Sequence, residues 1–246
     1  MIIGLTGTTK VGKSTFIKDF INKFQRYSQP KDSYRSIPDL DLYENGTEES
    51  QRKIRDFMFK QLKEIWAKRD TNKRVIVDRT LLDNLACTLY LYAKNDGTIS
   101  DEFMEESFEI TRKAMGMYHL IYFVPIEEID NIEVPTTVDA DFRLGVDTFL
   151  KTIHTAFLHR DPLALDVFPN KGSTALDMIT GDREERLEWA SNILDENGDV
   201  QGGFDTTDDP VLYDPDGREV NASMTEDDIS LKDFGFTDQE IKKQTV

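Results

Sequence analysis

The fold of this chain is decided near its beginning by the stretch Gly7-Thr8-Thr9-Lys10-Val11-Gly12-Lys13-Ser14. This stretch matches the spacing G-x-x-x-x-G-K-[ST] at every fixed position. The run Ile-Ile-Gly-Leu-Thr at 2–6 directly before it is mostly apolar and predicts a short buried strand. Residues 14–26 after it carry apolar side chains at spacings of three and four, which predicts an amphipathic helix. A glycine-bearing loop between a strand and a helix is the context in which this motif binds phosphate groups.

The chemistry of the loop favours a nucleoside triphosphate over an ordinary glycine-rich turn, which is the alternative interpretation. Successive backbone N–H groups surround phosphate oxygens, and the beginning of the helix adds its dipole at the same point. Gly7 and Gly12 permit the backbone angles and the close approach that a Cβ would hinder. We expect Lys13 to neutralise the β- and γ-phosphates, Ser14 to bind Mg²⁺, and Thr15 to lie near the α-phosphate.

The rest of the first 194 residues alternates between apolar runs and helical patterns. Strands are predicted at 33–40, 74–78, 119–124 and 175–180, and helices at 48–69, 81–93, 101–117, 141–158 and 182–194. This alternation is typical of parallel sheets with helices on both faces and argues against all-α and all-β folds. We therefore predict a three-layer α/β domain with a five-stranded parallel sheet.

The composition of the 246 residues excludes several classes of protein. The net charge of −17 argues against a protein that coats nucleic acid, since phosphate neutralisation needs a basic surface. No apolar run approaches the length of a membrane span, and the single cysteine, Cys87, excludes an intrachain disulfide framework. A cytoplasmic location is expected.

The negative charge is concentrated at the end of the chain. Residues 195–246 contain 15 acidic and 4 basic residues, a net −11, which leaves 32 acidic and 26 basic residues, a net −6, in residues 1–194. This shift predicts a domain at 1–194 followed by an acidic appendage. The appendage is predicted to form a hairpin at 211–220 and helices at 225–234 and 237–243, or else to be disordered, and both alternatives stay open.

A second carboxylate is expected near the phosphates. Asp78 ends the β-branched run 74–78, and in this type of site such a carboxylate holds Mg²⁺ directly or through water. Arg79 follows it, and a planar guanidinium can span two phosphate oxygens. The alternative is a capping aspartate beside a solvent-exposed arginine.

The segment 78–83, Asp-Arg-Thr-Leu-Leu-Asp, resembles the Asp-Arg-Ser/Thr-x-x-Asp segment of P-loop nucleoside and nucleotide kinases, especially the nicotinamide riboside kinase-like group, which includes many bacteriophage proteins. Residues 138–143 with Asp147 resemble that group's aspartate-rich lid segment, and 181–186 its loop beside the adenine. The resemblance implies strand order 2-3-1-4-5, with ATP over the carboxyl ends of the strands. Asp182 departs from the group, which has a small residue there, and the appendage has no counterpart.

These arguments define a set of candidate site residues. The candidate catalytic residues are Lys13, Asp39, Asp78, Arg79 and Arg143. The candidate metal ligands are Ser14 and Asp78. The candidate nucleotide-binding residues are Gly7, Thr8, Thr9, Lys10, Val11, Gly12, Lys13, Ser14 and Thr15, with Gly181 and Arg183 implied by the resemblance. Arg143 is expected on a lid, with Arg160 as a second choice, although either could be a solvated surface arginine. Asp39, Asp41 or Asp78 could orient an acceptor hydroxyl.

Two functions remain open at this point. The first is an ATP- and Mg²⁺-dependent kinase that phosphorylates a hydroxyl of a nucleoside- or nucleotide-like acceptor, including a hydroxymethylated base such as 5-hydroxymethyluracil in bacteriophage DNA. The second is a P-loop ATPase or nucleotide-dependent switch that acts through a protein partner. Only the kinase needs a cavity for an acceptor beyond the γ-phosphate. Homodimer formation and the cytoplasm of an infected host cell belong to the first hypothesis, and no membrane is expected in either.

Overall fold

The computed structural model describes residues 1–37, 46–68, 74–94, 97–127, 134–136, 138–169, 174–201, 212–213 and 219–220. In these ranges the strands are β1 Ile2–Thr6, β2 Tyr27–Ser28, β3 Arg74–Asp78, β4 Leu120–Phe123, β5 Ala175–Met178, β6 Leu212–Tyr213 and β7 Glu219–Val220. The helices are α1 Lys13–Lys23, α2 Glu48–Trp66, α3 Leu81–Ala93, α4 Asp101–Met115, α5 Ala140–His159, α6 Pro162–Val167 and α7 Arg183–Ile193, with a 3₁₀ turn at Tyr34–Ser36.

Strands β1 to β5 form one parallel sheet in the order β2-β3-β1-β4-β5. In the centre of the sheet, Ile3 pairs with Ile76 on one side and with Leu120 on the other. The predicted fold class and the strand order implied by the resemblance are therefore confirmed. Because all five strands run in the same direction, their carboxyl ends meet at one edge of the sheet, called here the carboxyl edge. The opposite edge is the amino edge.

Helices cover both faces of the sheet, as the predicted three layers require. Alternate residues of β1 point to opposite faces, so that Ile3 and Leu5 belong to one core cluster and Ile2 to the other. The first cluster packs under α1 and α7, with Phe20 of α1 at its centre. The second cluster lies under α2 to α6 and is the larger one. Both faces of the sheet are therefore buried under helices.

The second strand is not where the sequence predicted it. A strand was expected at 33–40, but β2 is Tyr27–Ser28, and Tyr34–Ser36 forms a 3₁₀ turn capped by the Ser33 hydroxyl. Tyr27 is 3% exposed and pairs with Arg74 at the beginning of β3, whereas Ser33, Arg35 and Ser36 are exposed. Burial against α1 therefore decides the position of the strand. Residues 38–40 lie outside the described residues.

Other differences concern helix ends and one short helix. Helix α2 ends at Trp66 and α4 at Met115, two or three residues before the predicted ends. Helix α6 was not predicted, although Asp161 caps it by accepting from the N–H of Leu163, and Pro162 occupies its first position. None of the helices within the described ranges is both long and apolar enough to cross a membrane.

The first residues after α7 return to the amino edge of the sheet. Leu194 and Val200 form an antiparallel bridge, and Asp199 pairs with Arg74 at the beginning of β3. The Tyr27 hydroxyl donates to the carbonyl of Gly198 at 2.7 Å. Further along, β6 and β7 pair antiparallel. The helices predicted at 225–234 and 237–243 lie outside the described residues, and the division of the chain at residue 195 stays a prediction.

Candidate functional site

The loop between β1 and α1 has the backbone shape that an anion site needs. Gly7, Lys10 and Gly12 have φ angles of 148°, 57° and 87°. A Cβ on Gly7 would lie 2.4 Å from the carbonyl oxygen of Val124, which explains why glycine is needed there. Helix α1 begins at Lys13, directly after the loop. The N–H groups of Lys13 and Ser14 at the beginning of this helix therefore face the same space as the loop.

The Lys13 side chain lies inside the loop and is 6% exposed. Its ammonium donates to the carbonyl of Gly7 at 2.6 Å and to the carbonyl of Thr8 at 2.5 Å. Burial, together with the nearby Arg79 guanidinium, lowers the pKa of Lys13 to about 7, and Asp83 opposes this shift. The charged form of Lys13 thus donates to neutral carbonyl groups and makes no ion pair with a carboxylate in the loop. A phosphate group would supply a negative partner.

The lowered pKa of Lys13 predicts that nucleotide binding takes up a proton. Above pH 7 the free protein holds Lys13 largely neutral, whereas a bound phosphate favours its charged form and raises its pKa. We expect ATP binding at pH 8.5 to take up about one proton, and its affinity to fall as the pH rises from 7 to 9. Titration calorimetry in buffers of different ionisation enthalpy measures this uptake. Equal binding enthalpies in all buffers would contradict the prediction.

Asp83 connects the loop to the beginning of α3. Its carboxylate is 2% exposed and accepts from the Thr6 hydroxyl at 2.8 Å, the Gly7 N–H at 3.1 Å and the Thr80 N–H at 2.8 Å. It also pairs with Arg79 at 3.4 Å. Asp83 is a site residue that is missing from the candidates predicted from the sequence. The spacing Thr-x-x-Asp at 80–83, which is that of a capping box, was the available signal.

Asp78 and Arg79 stand at the carboxyl end of β3. Asp78 Oδ1 is buried and makes no hydrogen bond within the described part of the chain. Arg79 has φ 74°, which is strained for a residue with a side chain, and its N–H donates to the Leu5 carbonyl at 2.9 Å. Its guanidinium lies 5.7 Å from the centre of the Tyr34 ring. The strained backbone aims this guanidinium back over the carboxyl edge of the sheet.

The residues at this edge fit a magnesium ion. Mg²⁺ is usually held by one or two protein oxygens, with phosphates and water completing its shell. Asp78 offers a buried carboxylate oxygen without a hydrogen bond among the described residues, and Ser14 offers an exposed hydroxyl in the first turn of α1. The described residues contain no cluster of three or more acidic, histidine or cysteine side chains that could bind a metal without a nucleotide. Asp78 and Ser14 thus provide the one or two protein oxygens that Mg²⁺ usually takes.

Arg143 in the first turn of α5 contacts the loop directly. Its Nε donates to the Thr9 carbonyl at 2.9 Å and its Nη2 to the Lys10 carbonyl at 3.1 Å. In return, the Thr8 hydroxyl donates to the carbonyl of Arg143 at 3.1 Å. Arg160 is exposed at the other end of the same helix, about 25 Å away at 1.5 Å per residue. The structure therefore brings the first lid candidate to the loop and not the second.

A cavity of 210 Å³ lies between the loop and α7, on the side expected to hold the adenine. It is lined by Gly12, Thr15, Phe16, Gly181, Asp182, Arg183 and Arg186. Asp182 accepts from the N–H groups of Glu184 and Glu185 and caps α7, which accounts for an aspartate at this position. Arg183 pairs with Asp19 of α1 across the opening. Arg186, absent from our candidates, is buried and donates to the Val11 carbonyl at 2.7 Å.

A second cavity, of 160 Å³, opens beside the end of β3. It is lined by Gln29, Pro30, Lys31, Asp32, Ser33, Tyr34, Met58, Gln61, Val77, Asp78, Arg79 and Tyr118. Two of the candidate catalytic residues, Asp78 and Arg79, line this cavity. Asp39 and Asp41, which were candidates to orient the acceptor hydroxyl, lie outside the described residues.

The parallel sheet, its strand order and the loop at 7–14 define an α/β fold of the P-loop class. No model of a known protein family matches the chain, and no curated protein matches it. Solved structures do match. The deoxyadenosine kinase of M. mycoides with the products dCMP and dCDP has a TM-score of 0.55 and 14% identity, covering 78% of this chain and 97% of the enzyme. The same enzyme with bound dATP gives the same values.

A thymidylate kinase from Candida albicans matches with a TM-score of 0.49 and 16% identity, covering 78% of this chain and 89% of that chain. The structures that match with a TM-score of 0.55 are those of a nucleoside kinase, in agreement with the resemblance found in the sequence. At identities this low, the likeness establishes the fold of those kinases for this chain. The acceptor and the roles of individual residues need separate arguments.

Proposed function

We propose that this protein is an ATP-dependent kinase that transfers the γ-phosphate to a hydroxyl of a nucleoside- or nucleotide-like acceptor. The observation that carries the proposal is a pair of separate cavities, one at the phosphate loop and the other at the carboxyl end of the neighbouring strand β3. One lies beside α7 and the other beside Asp78 and Arg79. A kinase needs its two substrates in line with the transferred phosphoryl group. Neighbours that bind dATP, dCMP and dCDP support a nucleoside-like acceptor.

In the proposed mechanism, the loop N–H groups bind the phosphates of ATP. Lys13 and Arg143, which donate to loop carbonyls in the free protein, move onto phosphate oxygens and neutralise the charge of the transition state. Ser14 and Asp78 would hold Mg²⁺, which would supply positive charge to neutralise the phosphates during the transfer. Asp78 or Asp39 orients the acceptor hydroxyl and accepts its proton, and a loose transition state requires little more from a base.

The acceptor cavity gives Arg79 a role of its own. Its guanidinium is held between Tyr34 and Asp83, on the cavity side of the loop. From there it can bind an oxygen of the acceptor or of the transferred group through two N–H donors. The narrower proposal of a hydroxymethylated base, such as 5-hydroxymethyluracil in bacteriophage DNA, rests on the sequence resemblance. A homodimer in the cytoplasm of an infected cell belongs with that narrower proposal.

Phosphoryl transfer from γ-labelled ATP tests this function. The acceptor panel comprises deoxyadenosine, deoxycytidine, thymidine, thymidine monophosphate, nicotinamide riboside and DNA that contains 5-hydroxymethyluracil. We expect labelled product with at least one of them and no transfer without Mg²⁺. Label that appears only as inorganic phosphate with every acceptor would contradict the kinase and favour the ATPase or switch that acts through a protein partner.

Arg143→Ala is expected to lower kcat about ten- to a hundredfold, because a charged donor to the transition state is lost. Arg160→Ala is a matched control on the same helix and should leave kcat unchanged, since Arg160 is exposed far from the loop. Steady-state kinetics of both variants give the comparison. Equal kcat values for the two variants would show that Arg143 only packs against the loop.

A further inference from the structure

Tyr118 reaches the acceptor cavity from the far side of strand β1. The residue lies just before β4, and β1 separates β4 from β3 in the sheet. The cavity is nevertheless lined by Tyr118 together with Val77 and Asp78 of β3. The tyrosine side chain must therefore cross β1 to take part in the cavity.

A glycine in β1 makes this crossing possible. Gly4 pairs with Val77 of β3 on one side and with Ile121 of β4 on the other. A Cβ on Gly4 would lie 3.1 Å from both Cδ1 and Cε1 of the Tyr118 ring and 2.5 Å from Cγ2 of Thr80. The ring thus occupies the space that any other residue at position 4 would fill. The φ angle of Gly4 is one that any residue can adopt. Glycine is needed at this position because Tyr118 and Thr80 pack so closely against it.

The Tyr118 hydroxyl differs in its hydrogen bonding from the hydroxyls of other buried tyrosines. The residue is 2% exposed, and within the described part of the chain its hydroxyl makes no hydrogen bond. Two other buried tyrosines have partners: the Tyr27 hydroxyl donates to the Gly198 carbonyl and the Tyr122 hydroxyl to the Ala190 carbonyl. A buried phenol normally finds such a partner. Burial raises the pKa of Tyr118 far above its usual value, so this hydroxyl stays neutral and can donate.

We infer that Tyr118 is a specificity-determining residue of the acceptor cavity, whose hydroxyl forms a hydrogen bond with a polar atom on the part of the acceptor that enters the cavity. The inference rests on the proposed kinase function and specifies its substrate further. An acceptor that satisfies this hydroxyl carries a hydrogen-bonding atom on the part that enters the cavity. A heterocyclic base meets this requirement, whereas an apolar group leaves the phenol without a partner.

Tyr118→Phe tests the inference because it removes only the hydroxyl. With the acceptor that the wild type uses best among deoxyadenosine, deoxycytidine, thymidine and thymidine monophosphate, we expect the KM for the acceptor to rise about three- to tenfold, the effect of one lost hydrogen bond. The kcat, the KM for ATP and the melting temperature should stay close to the wild-type values, since a purely binding contact changes KM alone.

Tyr122→Phe is the matched control. It removes an equally buried phenol from the other face of the sheet, where the hydroxyl binds the Ala190 carbonyl. We expect a lower melting temperature and an unchanged KM for the acceptor. If the KM for the acceptor rises equally in both variants, the effect comes from general loosening of the sheet and the inference is wrong.

Gly4→Ala provides a second variant, which displaces the ring instead of changing it. If Gly4→Ala folds, its KM for the acceptor should rise more than its KM for ATP.

An unchanged KM for the acceptor in Tyr118→Phe overturns the inference while the kinase function stands. A wild type that transfers no phosphate to any acceptor overturns the proposed function, and the inference with it.

Discussion

Lys13→Ala is expected to lower the rate of phosphoryl transfer by at least about a hundred- to a thousandfold, the range found when one preorganised charge donor is removed from an active site. The lysine is the only ammonium that the described residues place inside the loop, where it donates to the Gly7 and Thr8 carbonyls. Alanine leaves the N–H groups of the loop in place, so nucleotide binding should weaken less than kcat falls. Steady-state kinetics with γ-labelled ATP measure both quantities.

Lys10→Ala separates the role of Lys13 from a general effect of positive charge. Lys10 belongs to the same loop but is exposed to solvent. We expect this variant to keep kcat within about threefold of the wild type, because an exposed charge is well screened. Lys13→Ala should also keep its fold, since it removes a cation whose burial is unfavourable. A Lys13→Ala enzyme with normal transfer would show that the site has been assigned to the wrong residues.

Asp83→Ala is expected to lower the free energy of unfolding by about 3 kcal/mol, the magnitude of breaking a buried charged network. The carboxylate accepts from Thr6, Gly7 and Thr80 and pairs with Arg79. Its loss leaves buried donors unsatisfied at the loop and at the beginning of α3. Urea unfolding followed by circular dichroism gives the free energy, and the activity of the folded variant should fall because the loop entry is no longer held.

Asp182→Ala is the control for Asp83→Ala. Asp182 also forms a capping box, at the beginning of α7, but it is exposed. Its loss should cost about 1 kcal/mol, as for an ordinary helix cap. Similar losses for the two variants would mean that Asp83 acts only as a cap. Asp83→Asn keeps the shape of the side chain, and its free energy of unfolding should lie between those of the wild type and Asp83→Ala.

Local patterns in the sequence predicted the centre of the fold correctly. The loop at 7–14 has a specific motif with a strand pattern before it and a helix pattern after it, and the run at 74–78 is rich in β-branched residues. Each of these patterns fits few other local structures. The strand order came from the resemblance at 78–83, because periodicity alone does not determine which strands are neighbours. Strand β2 was placed wrongly, since its two residues are too few to show an alternation and burial of Tyr27 against α1 decides its position.

The sequence revealed less of the site, because several contacts join residues that are far apart in the chain. Asp83 and Gly7 are separated by 76 residues, and Arg143 and Thr9 by 134. Tyr118 could not be connected with the acceptor cavity, since its path depends on the absence of a side chain at Gly4 in another strand. Arg186 belongs to the segment 181–186 that carries the resemblance, but its contact with the Val11 carbonyl joins residues 175 positions apart and could not be read from the sequence.

The contacts of Asp199 with Arg74 and of Gly198 with Tyr27 determine where attachments to this protein can be made. They hold the chain after α7 at the amino edge, where Met1 also lies close to Arg74 and Asp199. The phosphate loop is at the carboxyl edge, about 17 Å away along a five-residue strand. An affinity tag before Met1 and the chain that continues after Gln201 therefore leave from the same end of the sheet. A protein immobilised through a tag before Met1 would carry its phosphate loop at the end of the sheet away from the support.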